Sequence, residues 1–100
     1  MRYITVNADY MGTGLKDNFK GSISSDDLDL PLVLKAEISS WNTAYQPIVL
    51  MNDNVRSSNA ELIKTLDDQG LSITRKIKDF LGDGYKIDYY SEGLFRRIVA

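Results

Sequence analysis

The sequence feature that most constrains the fold is an apolar stripe that follows a proline and three aspartates. Its members recur at intervals of four, three and four residues, which places them on one face of an α-helix. Pro31 suits the first turn of a helix, because the N–H that proline lacks would be unpaired there. The pattern predicts a helix that begins near Pro31, ends at Pro47 and buries the stripe. The stripe consists of Leu34, Ile38, Trp41 and Tyr45.

A second helix is predicted after residues 57–59, which offer N-cap side chains. Its apolar residues repeat at helical spacing, Gly82 and Gly84 end it, and a break near Thr65 is compatible with the pattern. Gly70 lies on this stripe, where the absence of a side chain allows a neighbouring element to approach closely. The stripe consists of Ile63, Leu66, Gly70, Ile73, Ile77 and either Phe80 or Leu81.

Strands are predicted where β-branched and aromatic residues concentrate, at 2–7 and 85–90. Residues 94–99 fit a third strand better than a short terminal helix, because Ile98 and Val99 are β-branched. The apolar run 48–51 is either a short strand or irregular chain, and we expect it to be buried. The glycine-rich stretch 10–21 is predicted to be a surface loop.

These elements predict a single α+β domain over residues 1–100, a small two-layer sandwich. Two main helices would pack on a short two- or three-stranded sheet. The chain has 100 residues, of which 43% are apolar, so it can bury a core.

Histidine and cysteine are both absent from the sequence. Their absence removes the usual general base, the commonest nucleophile pairs, disulfides and structural zinc. The glycine-rich stretch also lacks the GxxxxGK[ST] pattern of a phosphate-binding loop. We therefore expect a protein without enzymatic activity, cofactor or metal. No signal peptide or membrane span is recognisable, which favours the cytoplasm.

The net charge is −2, but acidic and basic side chains are distributed unevenly along the chain. Residues 1–31 and 32–68 each carry five acidic against three basic side chains, whereas the remainder carries six basic against four acidic ones. An acidic surface favours a basic protein partner. None of the aspartates lies in a context that predicts burial. The candidate partner-binding residues are Asp9, Asp17, Asp26, Asp27, Asp29, Asp67 and Asp68.

Several alternatives remain open at the level of sequence. The aspartates at 26–29 suit a helix cap best, and otherwise an acidic contact surface or a metal site. A cleft formed by the Tyr10–Asp17 loop, with Asp9, would suit a small ligand or carboxylate chemistry. Trp41 and Tyr45 fit a core better than exposed contact positions.

Direct nucleic-acid binding by the last third is the remaining alternative. Basic and aromatic residues interleave there, but neighbouring carboxylates offset the charge, so we expect a solvated surface without nucleic acid. The basic residues are Arg75, Lys76, Lys78, Lys86, Arg96 and Arg97, and the aromatic ones are Tyr85, Tyr89, Tyr90 and Phe95.

An ordered set of short motifs runs through the chain: Ala8-Asp9-Tyr10, Asp27-Leu28-Asp29-Leu30, Leu34, Trp41-Asn42-Thr43-Ala44-Tyr45, Asp68-Gln69-Gly70, Ile73, Ile77, Leu81 and Tyr85-Lys86-Ile87-Asp88-Tyr89. This set resembles small bacterial immunity proteins of contact-dependent inhibition and polymorphic toxin systems. The resemblance covers most of residues 3–90 and implies a non-catalytic inhibitor that binds a cognate toxin domain, commonly a nuclease, and blocks its active site or substrate groove. No individual binding residue carries over, because the contact surfaces in such proteins vary with the toxin.

Overall fold

A mixed sheet of five strands forms one layer of the molecule, and the helices form the other. The structure, a computed structural model, describes residues 1–98. The strands are β1 (Arg2–Asn7), β2 (Leu15–Asp17), β3 (Gly21–Ser22), β4 (Tyr85–Ser91) and β5 (Arg96–Ile98). The helices are α1 (Leu32–Val49), α2 (Asp53–Ser58) and α3 (Ala60–Leu81), with 3₁₀ turns at Ser25–Leu28 and Gly82–Gly84.

The first strand lies at the centre of the sheet, whose strand order is β3-β2-β1-β4-β5. Ile4 pairs with Ile87 in the parallel neighbour β4, and Val6 pairs with Leu15 in the antiparallel neighbour β2. All four side chains are buried, because alternate residues of a strand point to the same face. The helices cover this face.

Both predicted helical stripes lie in the core, except at the end of the second, where Phe80 is exposed and Leu81 is half-buried. Trp41 donates a hydrogen bond from Nε1 to the carbonyl oxygen of Leu66, 2.9 Å away, which joins α1 to α3. Its ring centroid is 6.0 Å from that of Tyr89 on β4. The close approach expected at Gly70 is confirmed, because a Cβ there would lie 2.6 Å from Tyr89 Cζ. Trp41 and Tyr45 are therefore core residues.

The sheet is larger than the two or three strands predicted. The predicted loop 10–21 contains β2 and the start of β3, where Leu15 and Asp17 are buried on one face and Lys16 is exposed between them. A strand this short gives little sequence signal, because pairing with β1 stabilises it more than its own propensity does.

The end of α1 also differs from the prediction. The helix continues through Pro47 to Val49, because a proline in the last turn removes only one hydrogen bond and its ring is exposed. The run 48–51 is thus helix end and turn rather than a strand. Within it, Ile48 is buried whereas Leu50 is exposed, so burial is confirmed only in part.

The second predicted helix begins after Asn59, as expected, and runs unbroken through Thr65 to Leu81. The short helix α2, which precedes it, was not predicted; the Asn52 side chain caps it by accepting a hydrogen bond from the Val55 N–H. Strand β5 confirms the third predicted strand, at 94–99, over residues 96–98, whereas Leu94 and Phe95 belong to the preceding turn. Val99, the last residue of that prediction, lies outside the described residues.

Candidate functional site

The three clustered aspartates form an ordered turn directly before α1. Ser24 Oγ accepts a hydrogen bond from the Asp26 N–H at 3.1 Å, and Asp27 Oδ2 accepts one from the Ser24 N–H at 2.9 Å. This reciprocal arrangement is a capping box, and it caps the 3₁₀ turn. Helix α1 itself receives no side-chain cap at Pro31. The interpretation of these aspartates as a cap of the long helix was therefore wrong.

We refer to Ser24–Asp29 as the acidic turn. Its carboxylates point outward: Asp26, Asp27 and Asp29 are all exposed. Asp29 has a left-handed backbone with φ of 52°, which turns the chain toward α1. Lys35 Nζ lies 2.6 Å from Asp26 Oδ1, and no ion pair involves Asp27 or Asp29 in the described part of the chain. The turn is therefore net negative by two charges.

Asp17 is buried, contrary to the expectation from sequence. Its Oδ1 accepts a hydrogen bond from the Phe19 N–H at 2.9 Å, and its Oδ2 pairs with the Arg2 guanidinium at 3.0 Å. The hydrogen bond from the Phe19 N–H, together with the one from Arg2, holds the pKa of Asp17 below its ordinary value, although burial opposes this. Asp17 ties β1 to the β2–β3 turn and is not available to a partner.

Asp67 is also buried, at 4% exposure, and accepts three hydroxyl hydrogen bonds. Tyr45 and Tyr89 donate to its Oδ1 at 2.9 and 2.6 Å, and Ser91 donates to its Oδ2 at 2.7 Å. Burial raises the pKa of the Tyr45 hydroxyl to about 12, and it raises that of Tyr89 as well. We call these four side chains the Asp67 network; it joins α1, α3 and β4.

Its neighbour Asp68 lies on the outer face of α3, where Lys64 Nζ is 3.0 Å from its Oδ2. The helical period contained the signal that separates the two residues. Asp67 lies four residues after Ile63 and three before Gly70, so it belongs to the buried stripe.

The loop that follows β1 is held against α1 by side-chain amides. Asn42 Oδ1 accepts a hydrogen bond from the Asp9 N–H at 3.0 Å, and Gln46 Nε2 donates to the Asp9 carbonyl oxygen at 2.7 Å. The side chains of Asp9 and Tyr10 are exposed, whereas Asp17 faces Arg2. The three residues proposed for a small-ligand cleft therefore do not converge. A cavity of about 260 Å³ beside this loop is lined by other residues, among them Thr13, Lys35 and Ser39.

Arg56 is a buried cation that sequence reasoning missed. Its guanidinium donates to the carbonyl oxygens of Val49 and Met51, at 3.2 and 3.1 Å, and to that of Glu92. The guanidinium also lies 4.2 Å from the centroid of the Phe95 ring. Arg56 thus neutralises the C-terminal end of α1 and fixes the β4–β5 turn. Its polar, unremarkable sequence context contains no signal of this role.

The basic residues of the last third do not form one free surface. Lys76 Nζ lies 2.7 Å from Glu37 Oε1, and Arg97 Nη1 lies 2.7 Å from Asp88 Oδ2. Tyr89, one of the interleaved aromatic residues, is buried. Within residues 1–98, no group of three or more acidic residues is placed to hold a metal ion. No helix in the same range is both long and apolar enough to cross a membrane.

The geometry therefore defines a small α+β protein that displays an ordered, exposed acidic turn directly before its first long helix. A family model described as "Serratia CdiI immunity protein-like" matches residues 2–92. The chain belongs to this family, which confirms the resemblance to contact-dependent inhibition immunity proteins and makes it a protein that neutralises a cognate toxin. A search of curated proteins finds no match.

Proposed function

We propose that the cognate toxin is a nuclease and that this protein neutralises it by covering its active site or substrate groove. The acidic turn carries the proposal, because it is an ordered, exposed surface with two uncompensated negative charges. Nuclease grooves attract phosphates with basic side chains, so a rigid acidic surface is complementary to them. The inhibitor needs no catalytic group and contacts no nucleic acid. It acts in the cytoplasm.

The proposed contact residues are the exposed aspartates, and they lie in three places. The acidic turn contributes three of them, the loop after β1 contributes Asp9, and the outer face of α3 contributes Asp68. Asp17 and Asp67 support the same function from the interior, because they hold the strands and helices that display this surface.

The test is co-expression with the toxin domain encoded by the neighbouring upstream gene. We expect restored growth, a stable purified complex and loss of nuclease activity on added RNA or DNA. A matched toxin domain from an unrelated system, which should remain active, is the control. A complex in which the nuclease still cleaves its substrate would contradict the covering of the active site, and failure to form any complex would contradict the proposal as a whole.

The charge argument has a separate test in a matched pair of variants. Asp26 and Asp68 are both exposed aspartates, and each is paired with one lysine. We expect Asp26→Lys to slow association with the toxin domain and to reduce its salt sensitivity more than Asp68→Lys does. Equal effects on the association rate would mean that overall charge, rather than the acidic turn, governs encounter.

A further inference from the structure

Two aliphatic side chains at the start of α1 are almost fully exposed. Leu32 is 82% exposed and Val33 is 81% exposed, whereas Leu34, the next residue, is 7% exposed. Single exposed apolar residues are common on protein surfaces. Here two of them follow each other directly beside the acidic turn, and neither contributes to the core. We call Leu32 and Val33 the exposed apolar pair.

The surroundings hold this pair in place. Leu28 and Leu30, on the preceding segment, are 4% and 3% exposed and anchor the acidic turn in the core. The Lys35 N–H donates to the Pro31 carbonyl oxygen at 2.9 Å, which closes the first turn of α1. The ion pair of Lys35 with Asp26 links that helix back to the turn. A surface ordered before binding loses little conformational entropy when a partner docks.

The charge around the pair indicates what it fits. Three carboxylates of the acidic turn lie on its N-terminal side, and Lys35 neutralises one of them. This surface therefore has an aliphatic centre and a net negative border. The complementary surface is a shallow apolar depression bordered by lysine or arginine side chains.

We propose that the exposed apolar pair is the energetic centre of the toxin interface. It inserts into an apolar depression of the toxin domain, and the acidic turn pairs with the basic border of that depression. The inference rests on the proposed function, in that the toxin domain is the partner. Beyond the proposed function, it states which surface dominates the affinity and which side chains the toxin must present to that surface. The aspartates then govern mainly the association rate, and the aliphatic pair governs mainly the dissociation rate.

The test measures the Kd and both rate constants for the purified toxin domain encoded by the upstream gene. Replacing both residues in a Leu32→Ser/Val33→Ser variant should raise the Kd at least about 30-fold, mostly through faster dissociation. Neutralising the acidic turn, with Asp26, Asp27 and Asp29 each replaced by Asn, should instead slow association about tenfold and flatten its salt dependence.

Two exposed apolar residues elsewhere provide matched controls. Leu50, 67% exposed just beyond the C-terminal end of α1, and Met11, 84% exposed in the loop after β1, are each changed to Ser. Neither control should alter the Kd by more than about twofold. Urea denaturation followed by Trp41 fluorescence should show unchanged stability in the Leu32→Ser/Val33→Ser, Leu50→Ser and Met11→Ser variants, because none of these four side chains is buried.

The outcomes separate this inference from the proposed function. If the wild-type protein binds and inhibits the toxin but the Leu32→Ser/Val33→Ser variant binds within threefold of it, the inference is overturned and the proposed function stands. A loss of affinity in the Leu50→Ser or Met11→Ser variant instead would place the interface elsewhere and would also overturn it. Absence of a wild-type complex would overturn both.

Discussion

Replacing Asp67 tests whether the fold depends on the buried network that joins α1, α3 and β4. In Asp67→Ala, the hydroxyl groups of Tyr45, Tyr89 and Ser91 lose the acceptor to which they donate. Water cannot easily replace it, because all three residues are fully buried. Tyr45 and Ser91 still accept hydrogen bonds from the N–H groups of Gly93 and Leu94, but each buried donor left without an acceptor costs about 1–3 kcal/mol.

Three such groups give a loss of about 3–9 kcal/mol, and we expect at least about 4 kcal/mol of the free energy of unfolding to disappear. That is comparable with the whole stability of many small domains, about 5–15 kcal/mol. The adjacent Asp68→Ala is the control. It removes only an exposed pair with Lys64, of a kind that contributes about 0.3–0.5 kcal/mol.

The assay is urea denaturation at pH 7, with Trp41 fluorescence as the probe because the indole lies beside the network. If Asp67→Ala does not fold, Tyr45→Phe provides a milder test and should cost about 1–3 kcal/mol. If Asp67→Ala does fold, adding Tyr45→Phe should lower its free energy of unfolding by less than Tyr45→Phe lowers that of the wild type. Equal losses from Asp67→Ala and Asp68→Ala would refute the reasoning.

Three further predictions follow from the core and its ionisable groups. Gly70→Ala should destabilise the protein by about 1–2 kcal/mol in urea denaturation, because the new Cβ meets Tyr89 at a cost of about 2–3 kcal/mol, which exceeds the gain of about 1 kcal/mol in helix propensity; Gly84→Ala, where a Cβ meets nothing, should be neutral. The raised pKa of Tyr45 contributes stability that is fully present below pH 10 and is lost as the pH rises towards about 12. Tyrosinate absorbance should therefore show that Tyr45 and Tyr89 ionise only when the protein unfolds. The lowered pKa of Asp17 gives stability that is present above its ordinary value near pH 4 and is lost as the pH falls. Asp17→Asn should therefore be less stable than the wild type at pH 7 but should lose less of its free energy of unfolding on acidification, and equal losses in the two proteins would contradict this.

The long elements could be predicted from sequence because their own side chains contain the information. The stripe from Leu34 to Tyr45 and the stripe from Ile63 to Ile77 each repeat over several helical turns, so a local period was enough. Strands β2 and β3 could not be predicted in the same way. They comprise three and two residues, and their conformation depends on pairing with β1.

The candidate site could be predicted less well than the fold, because charge along a sequence does not give charge on a surface. Asp26, Asp27 and Asp29 are close together in the sequence and also in the structure, where they form an exposed cluster as the sequence suggests. Asp17 and Asp67 looked equally available in the sequence, yet both point inward.

The difference arises from partners that lie far away in the sequence. Asp17 binds Arg2, and Asp67 binds Ser91, a residue 24 positions away. Local composition cannot report such contacts. The helical period did place Asp67 on the buried stripe, and its assignment to the surface followed from its charge alone.

The parallel pairing of the first strand with the fourth has a consequence for how the protein comes into being. Arg2 lies opposite Tyr85 and Asn7 lies opposite Tyr90, so the centre of the sheet joins residues more than 80 positions apart. During synthesis at about 5–20 residues per second, β1 must wait for several seconds before its partner strand exists. Contacts so distant in sequence also slow folding, because a long loop must close before they form. Protection against the toxin therefore begins only after β4 has been translated, and a fragment that stops before Tyr85 leaves the central strand β1 without its parallel neighbour.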